Sequence, residues 1–153
     1  MDVRAKLKEL ELDLPPVPAA VADYVPAVRS GNLVFVSGQL PMRDGQLMAR
    51  GRVPDVVSLD VAQACAGQCI LNGLAAVGDV LDGDWSKLIR IVRLGVFVNC
   101  GPDYDLQHKV ANGASELLGK IFGEQGRHAR AAVGAPGLPL GAPVEVELTV
   151  EVR

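Results

Sequence analysis

The chain has 153 residues, 49% of them apolar, and a net charge of −3. That length suits one domain with a sizeable core, and residues 1–153 are expected to form a single unit. A net acidic chain is a poor partner for nucleic acid, because phosphate neutralisation supplies most of that affinity. The one dense basic spot, Arg127-His128-Arg130, is too small for a duplex footprint.

The N-terminus is charged at Asp2, Arg4, Lys6, Lys8, Glu9 and Glu11, with no apolar core of signal-peptide length. No stretch reads as long enough to span a bilayer. Cys65, Cys69 and Cys100 form no even disulfide framework, and Cys65 and Cys69 stand four apart on an expected helix, so reduced thiols fit. A cytoplasmic protein without membrane attachment is the expectation.

Residues 2–12 predict a short helix with Val3, Leu7 and Leu10 on one face, ended by the stiff run Leu14-Pro15-Pro16-Val17-Pro18. Together these make an N-terminal helix and Pro-rich extension over residues 1–20. Val25–Val28 and Leu33–Ser37 read as a hairpin across Ser30-Gly31-Asn32, with a weaker strand near Leu47–Arg50. Ser58 is a plausible N-cap for a long helix whose apolar residues recur every three or four positions to Leu81, where Asp82-Gly83-Asp84 stops it. Leu88–Asn99 is a strong strand, with Val92, Leu94, Val96 and Val98 expected on one face. Gly101-Pro102-Asp103 opens a second long helix with a stripe from Tyr104 to Ile121. Ala129–Gly134 and the alternating Val144–Val152 complete the sheet.

The pattern is α+β: a sheet with two long helices that can cover only one face. Leu33–Val36 and Ile89–Val98 are nevertheless apolar on both faces, as in strands buried on both sides. A second subunit is the simplest cover for the other face, so a homo-oligomer is expected.

No phosphate-binding loop, dinucleotide fingerprint or serine elbow occurs. The two histidines, His108 and His128, belong to no metal-ligand spacing, and His108 reads as a solvated surface residue. No metal, nucleotide or other cofactor is expected. What remains is Arg130 in the small-residue strand Ala129–Val133, and Glu145 at the start of the last strand. Two such residues on neighbouring strands form either a salt bridge or part of a binding site. Arginine's planar fork matches a carboxylate bidentately.

Tyr24-Val25-Pro26-Ala27-Val28 followed by Gly31-Asn32-Leu33-Val34-Phe35-Val36-Ser37-Gly38-Gln39-Leu40-Pro41 resembles the opening of the YjgF/RidA family, the reactive-intermediate deaminases also called L-PSP endoribonuclease-like. Val96-Phe97-Val98, Asn112-Gly113-Ala114-Ser115-Glu116, Ala129-Arg130 and Leu138-Pro139 continue the match, which ends in Val144-Glu145-Val146-Glu147. The N-terminal extension resembles a longer branch. The resemblance implies a chorismate-mutase-like fold with a mixed sheet and two long helices on one face, assembled as a homotrimer with clefts between subunits. It implies cofactor-free hydrolysis of small enamine or imine carboxylates to 2-oxo acids and ammonia. Arg130 would hold the substrate carboxylate, Glu145 would activate water, and Tyr24, Gly38 and Asn112 would line the cleft. Deaminases of the family often carry cysteine two residues after the arginine; here that position is Ala132. This keeps open an alternative, a non-catalytic module that binds a small carboxylate. Endoribonuclease activity, a label the family carries, fits the acidic balance less well, and the chain has no histidine pair for cleavage.

Overall fold

A computed structural model describes residues 3–17 and 23–153. Its regular elements are α1 (Val3–Glu9), β1 (Ala27–Ser30), β2 (Leu33–Gln39), β3 (Met42–Arg43), β4 (Gln46–Leu47), α2 (Leu59–Val80), β5 (Leu88–Asn99), α3 (Gln107–Phe122), β6 (Ala129–Ala135) and β7 (Val144–Val152). Asp2 and Pro18, at the ends of the expected helix and proline run, lie outside the described residues.

The main sheet has the order β1-β2-β7-β5-β6. Only β5 and β6 run parallel, so the sheet is mixed. The helix α3 and its flanking turns supply the crossover that a parallel pair requires. β7 is the central strand, and its sequence shows why. Val144, Val146, Leu148, Val150 and Val152 are all buried against the helical layer, while Glu145, Glu147, Thr149 and Glu151 point the other way.

α2 starts where Ser58, in extended conformation, accepts a bond from the Val61 N–H at 3.3 Å, and Asp60 lies in the first turn. It stops at Asp82 and Gly83, both left-handed, with the Gly83 N–H bonded to the Gly78 carbonyl at 2.8 Å. By length and composition α2 is a candidate membrane span, contrary to the sequence expectation, yet 72% of that window is buried inside the protein. It is a core helix packed on the sheet over β2 and β7, beside α3, which lies over β5 and β6. Two glycines let it approach closely: a Cβ at Gly73 would meet the Leu148 side chain at 2.5 Å, and one at Gly113 on α3 would collide with the Gln63 backbone.

Four expectations are corrected. α3 begins at Gln107, not at Gly101: residues 101–104 close a turn, and the Gln107 side chain bonds the Tyr104 carbonyl at 2.6 Å. β1 runs Ala27–Ser30 and leaves Val25 outside, its carbonyl taken by the Ser37 hydroxyl at 2.7 Å. The weak strand near Leu47 is a short ribbon, β3 and β4, turning through Asp44 and Gly45, both at positive φ. In β5, register shifts between Leu88 and Arg90 and between Ile91 and Arg93 put Ile91 in the core, and Val92 is only partly buried.

Both long helices lie on one face of the sheet. The opposite face has no cover among the described residues and shows Phe35 (47% exposed), its cross-strand partner Val28 (52%) and Val133 (47%). Around them lie Phe97, Thr149, Gly95 and the ion pair Arg93–Glu147 at 3.1 Å. The two-sided apolar strands seen in the sequence therefore correspond to one covered face and one open apolar face.

Candidate active site

Glu145 stands on the open face near the start of β7, half-buried. Its carboxylate packs over Gly38, where a Cβ would lie 2.9 Å from Cδ, so any larger residue there would push the Glu145 carboxylate out of this position. Gly38 sits at an irregularity of β2, where the pairing with β7 shifts between Val36 and Gln39. The Ser37 hydroxyl and N–H bind the carbonyls of Val25 and Pro26, at 2.7 and 2.9 Å. Those bonds tether the segment bearing Tyr24, a residue 45% exposed, to the same corner. Ser37 thus fastens this segment to β2.

Burial raises the Glu145 pKa, and Glu147, two residues along the same face, raises it further. Arg130 does not offset this rise, and the sheet geometry shows why. Arg130 pairs in register with Leu94 and Glu145 with Phe97, so β5 lies between β6 and β7. The two residues are not on neighbouring strands and face opposite sides of the sheet.

Arg130 turns towards α3. Nη1 donates to Asn112 Oδ1 and to Ser115 Oγ, each at 3.0 Å, and Nη2 donates to the His108 carbonyl at 3.3 Å. Asn112 and Ser115 are three apart on α3 and therefore share a helix face. A guanidinium carries five N–H donors. Among the described residues, Nε–H and one Nη2–H stay unbonded, and they form the edge that grips a carboxylate side-on.

His128, at the entry to β6, meets Ser115 Oγ through Nε2 at 2.9 Å and the Gly126 carbonyl through Nδ1 at 2.6 Å. A carbonyl only accepts, so Nδ1 carries the hydrogen and a neutral ring accepts the serine proton at Nε2. Ser115 and His128 were not singled out as site residues from the sequence. The usable signal was Ser115 lying one helical turn after Asn112.

The predicted residues therefore form two groups: Tyr24, Gly38 and Glu145 at one corner of the open face, Arg130 and Asn112 at the far edge over α3. The three cysteines are buried. Burial pushes the Cys65 thiol up to about 11 and raises Cys69 as well, which keeps both neutral within the core. Among the described residues no group of three or more histidine, cysteine or acidic side chains is placed to hold a metal.

A family model described as "YjgF/chorismate_mutase-like, putative endoribonuclease" matches residues 4–152. Protein TCP17 of Trypanosoma cruzi is 42% identical over 152 residues, covering 99% of this chain and 94% of its own length. RutC family protein y4sK of Sinorhizobium fredii is 30% identical over 133 residues, 87% of this chain and 90% of its own. A protein of unknown function from Agrobacterium tumefaciens superposes with a TM-score of 0.92 at 46% identity, over 99% of this chain and 93% of that one. A Shewanella oneidensis structure with the same endoribonuclease description gives 0.94 at 31% identity, over 98% and 99%. The similarity runs through the N-terminal arm as well as the sheet, and it extends over the strands and helices that carry both groups of candidate residues. The chain belongs to the YjgF/RidA family and has its chorismate-mutase-like α+β fold.

Proposed function

We propose that the protein hydrolyses small imines and enamines of amino acids to 2-oxo acids and ammonia, at a site completed between copies of the chain. The observation that carries this reading is the state of Arg130. Three bonds pin its guanidinium and leave one bidentate edge free, an arrangement suited to a ligand carboxylate. The second group supplies the chemistry. A half-buried carboxyl with a raised pKa can take a proton from water as the oxygen attacks the imine carbon. The proton then passes to nitrogen, and the carbinolamine collapses to the oxo acid and ammonia. Water, substrate and one carboxylate balance the reaction.

The opposed placement of Arg130 and Glu145 supports a shared site. One copy would offer its Arg130 edge to the Glu145 corner of the next, with Phe35, Val28 and Val133 buried between them. Three copies, as the family resemblance implies, would close such a ring.

One observation favours the non-catalytic reading: Ala132 stands where related deaminases often have a thiol. An ammonia-release assay separates the two. 2-Iminopropionate and bulkier imino acids are offered to the wild type, Arg130→Ala and Glu145→Gln. Turnover lost in both variants supports the hydrolase. Carboxylate binding at Arg130 with no turnover of any imino acid leaves the binding module.

A further inference from the structure

Beside Arg130 lies a cavity of about 300 Å³ lined by Ser115, Gly119, Gly126, Arg127, His128 and Arg130. That is the size of a small-ligand site. Its wall contains no carboxylate and no apolar side chain, in a chain whose net charge is −3. Arg90 donates to the Arg127 carbonyl at 2.9 Å, which brings another guanidinium close to that wall. Arg127 itself meets Glu124 at 3.3 Å, but those side chains are 76% and 87% exposed. A pair so solvated is weak enough for a ligand anion to displace. The Ser115 hydroxyl links this cavity to the site, since it touches both Arg130 and His128. At Gly119 a Cβ would meet nothing within 4 Å, so the helix presents open space there.

We propose that this cavity is an anion subsite, and that the ligand on the free edge of Arg130 carries a second anionic group, carboxylate or phosphate. The inference rests on the carboxylate-holding role proposed for Arg130 and specifies the substrate class of that site. An apolar tail entering the cavity would desolvate the Arg127 and Arg130 guanidiniums without offering them an acceptor, whereas a second anion supplies one.

Calorimetry on the assembled wild-type protein tests it with pairs of probes that differ by a second anionic group. 2-Oxoglutarate is compared with 2-oxopentanoate, and 3-phosphoglycerate with glycerate. At low salt at least one dianion should bind about 5-fold or more tighter than its monoacid partner, and the advantage should shrink as salt is added. The pair that shows the gain identifies the second group. Arg127→Gln, at an exposed position, should abolish the gain and leave 2-oxopentanoate affinity unchanged. Equal affinities within both pairs, or a gain that survives Arg127→Gln, overturns the subsite. If 2-oxopentanoate binding depends on Arg130 while neither dianion gains, the subsite alone falls. If none of the four probes binds, the subsite and the reading of Arg130 fall together.

Discussion

Glu145 shows how much a carboxylate's role depends on its surroundings. Burial and Glu147 both disfavour its charged form, so protons leave it above the ordinary glutamate range. In the window between the unfolded and the raised folded value, the native state binds more protons than the unfolded state. Stability contributed by the protonated group is therefore lost as pH rises through that window. Glu145→Gln should flatten this dependence in denaturant titrations at a series of pH values. The same substitution should lower kcat by about 10²-fold or more while carboxylate affinity persists, the usual size of a general-base contribution. Glu147→Gln removes the like charge and releases Arg93 from its 3.1 Å pair, both of which favour the Glu145 carboxylate. The acid limb of kcat/KM should then move to lower pH; an unmoved limb would mean that Glu145 is not the titrating base. Arg130 makes the complementary case. Arg130→Ala should weaken 2-oxo acid binding by about 30-fold or more, because losing a charge partner in a desolvated contact costs about 2–5 kcal/mol.

At the scale of elements, α3 carries two glycines with opposite meanings. Gly113 is where α3 crosses α2, and an added Cβ would collide with the Gln63 carbonyl. Gly113→Ala should destabilise by about 1–3 kcal/mol through overpacking and should loosen Asn112, its neighbour, from Arg130. Gly119 faces open space, and Gly119→Ala should stabilise by about 0.5–1 kcal/mol because alanine has the higher helix propensity and less unfolded-state freedom. Denaturant midpoints for the two variants should therefore move in opposite directions. Periodicity cannot separate these residues, since each is one glycine in an amphipathic stripe. Only the partner helix distinguishes them.

The whole molecule raises the question of how its two site groups meet. If they meet across a subunit boundary, light scattering should give about three times the 16.1 kDa chain mass. Phe35→Asp, on the open face, should dissociate the assembly and abolish turnover without unfolding the monomer, as circular dichroism would report. A mixing experiment is more direct. Arg130→Ala and Glu145→Gln should each be strongly impaired alone, but a mixed ring places an intact Arg130 beside an intact Glu145 at some boundaries. Unfolding and refolding the two together in equal amounts should restore roughly a quarter of wild-type turnover, the fraction expected for random assembly of closed rings. No recovery, with mixed assemblies verified by mass, would place both groups of residues within one chain's site and refute the shared cleft.

The sequence by itself determined the α+β class, the central alternating strand Val144–Val152, the stop of α2 at Asp82-Gly83, and the family. These are encoded locally, in strand alternation, turn residues and motif order. It also marked Tyr24, Gly38, Asn112, Arg130 and Glu145, because short motifs carry residue types whose chemistry is recognisable without coordinates. Only the tertiary structure decided that Arg130 and Glu145 stand apart, with β5 between their strands and the sheet between their side chains. Strand order is set by long-range pairing, which a fifteen-residue separation in sequence does not disclose. The same holds for the sign of the Glu145 shift, which depends on burial and on the nearest charge in space. It holds as well for the Ser115–His128 contact, which joins a helix to the start of an edge strand and exists only once α3 packs against β6.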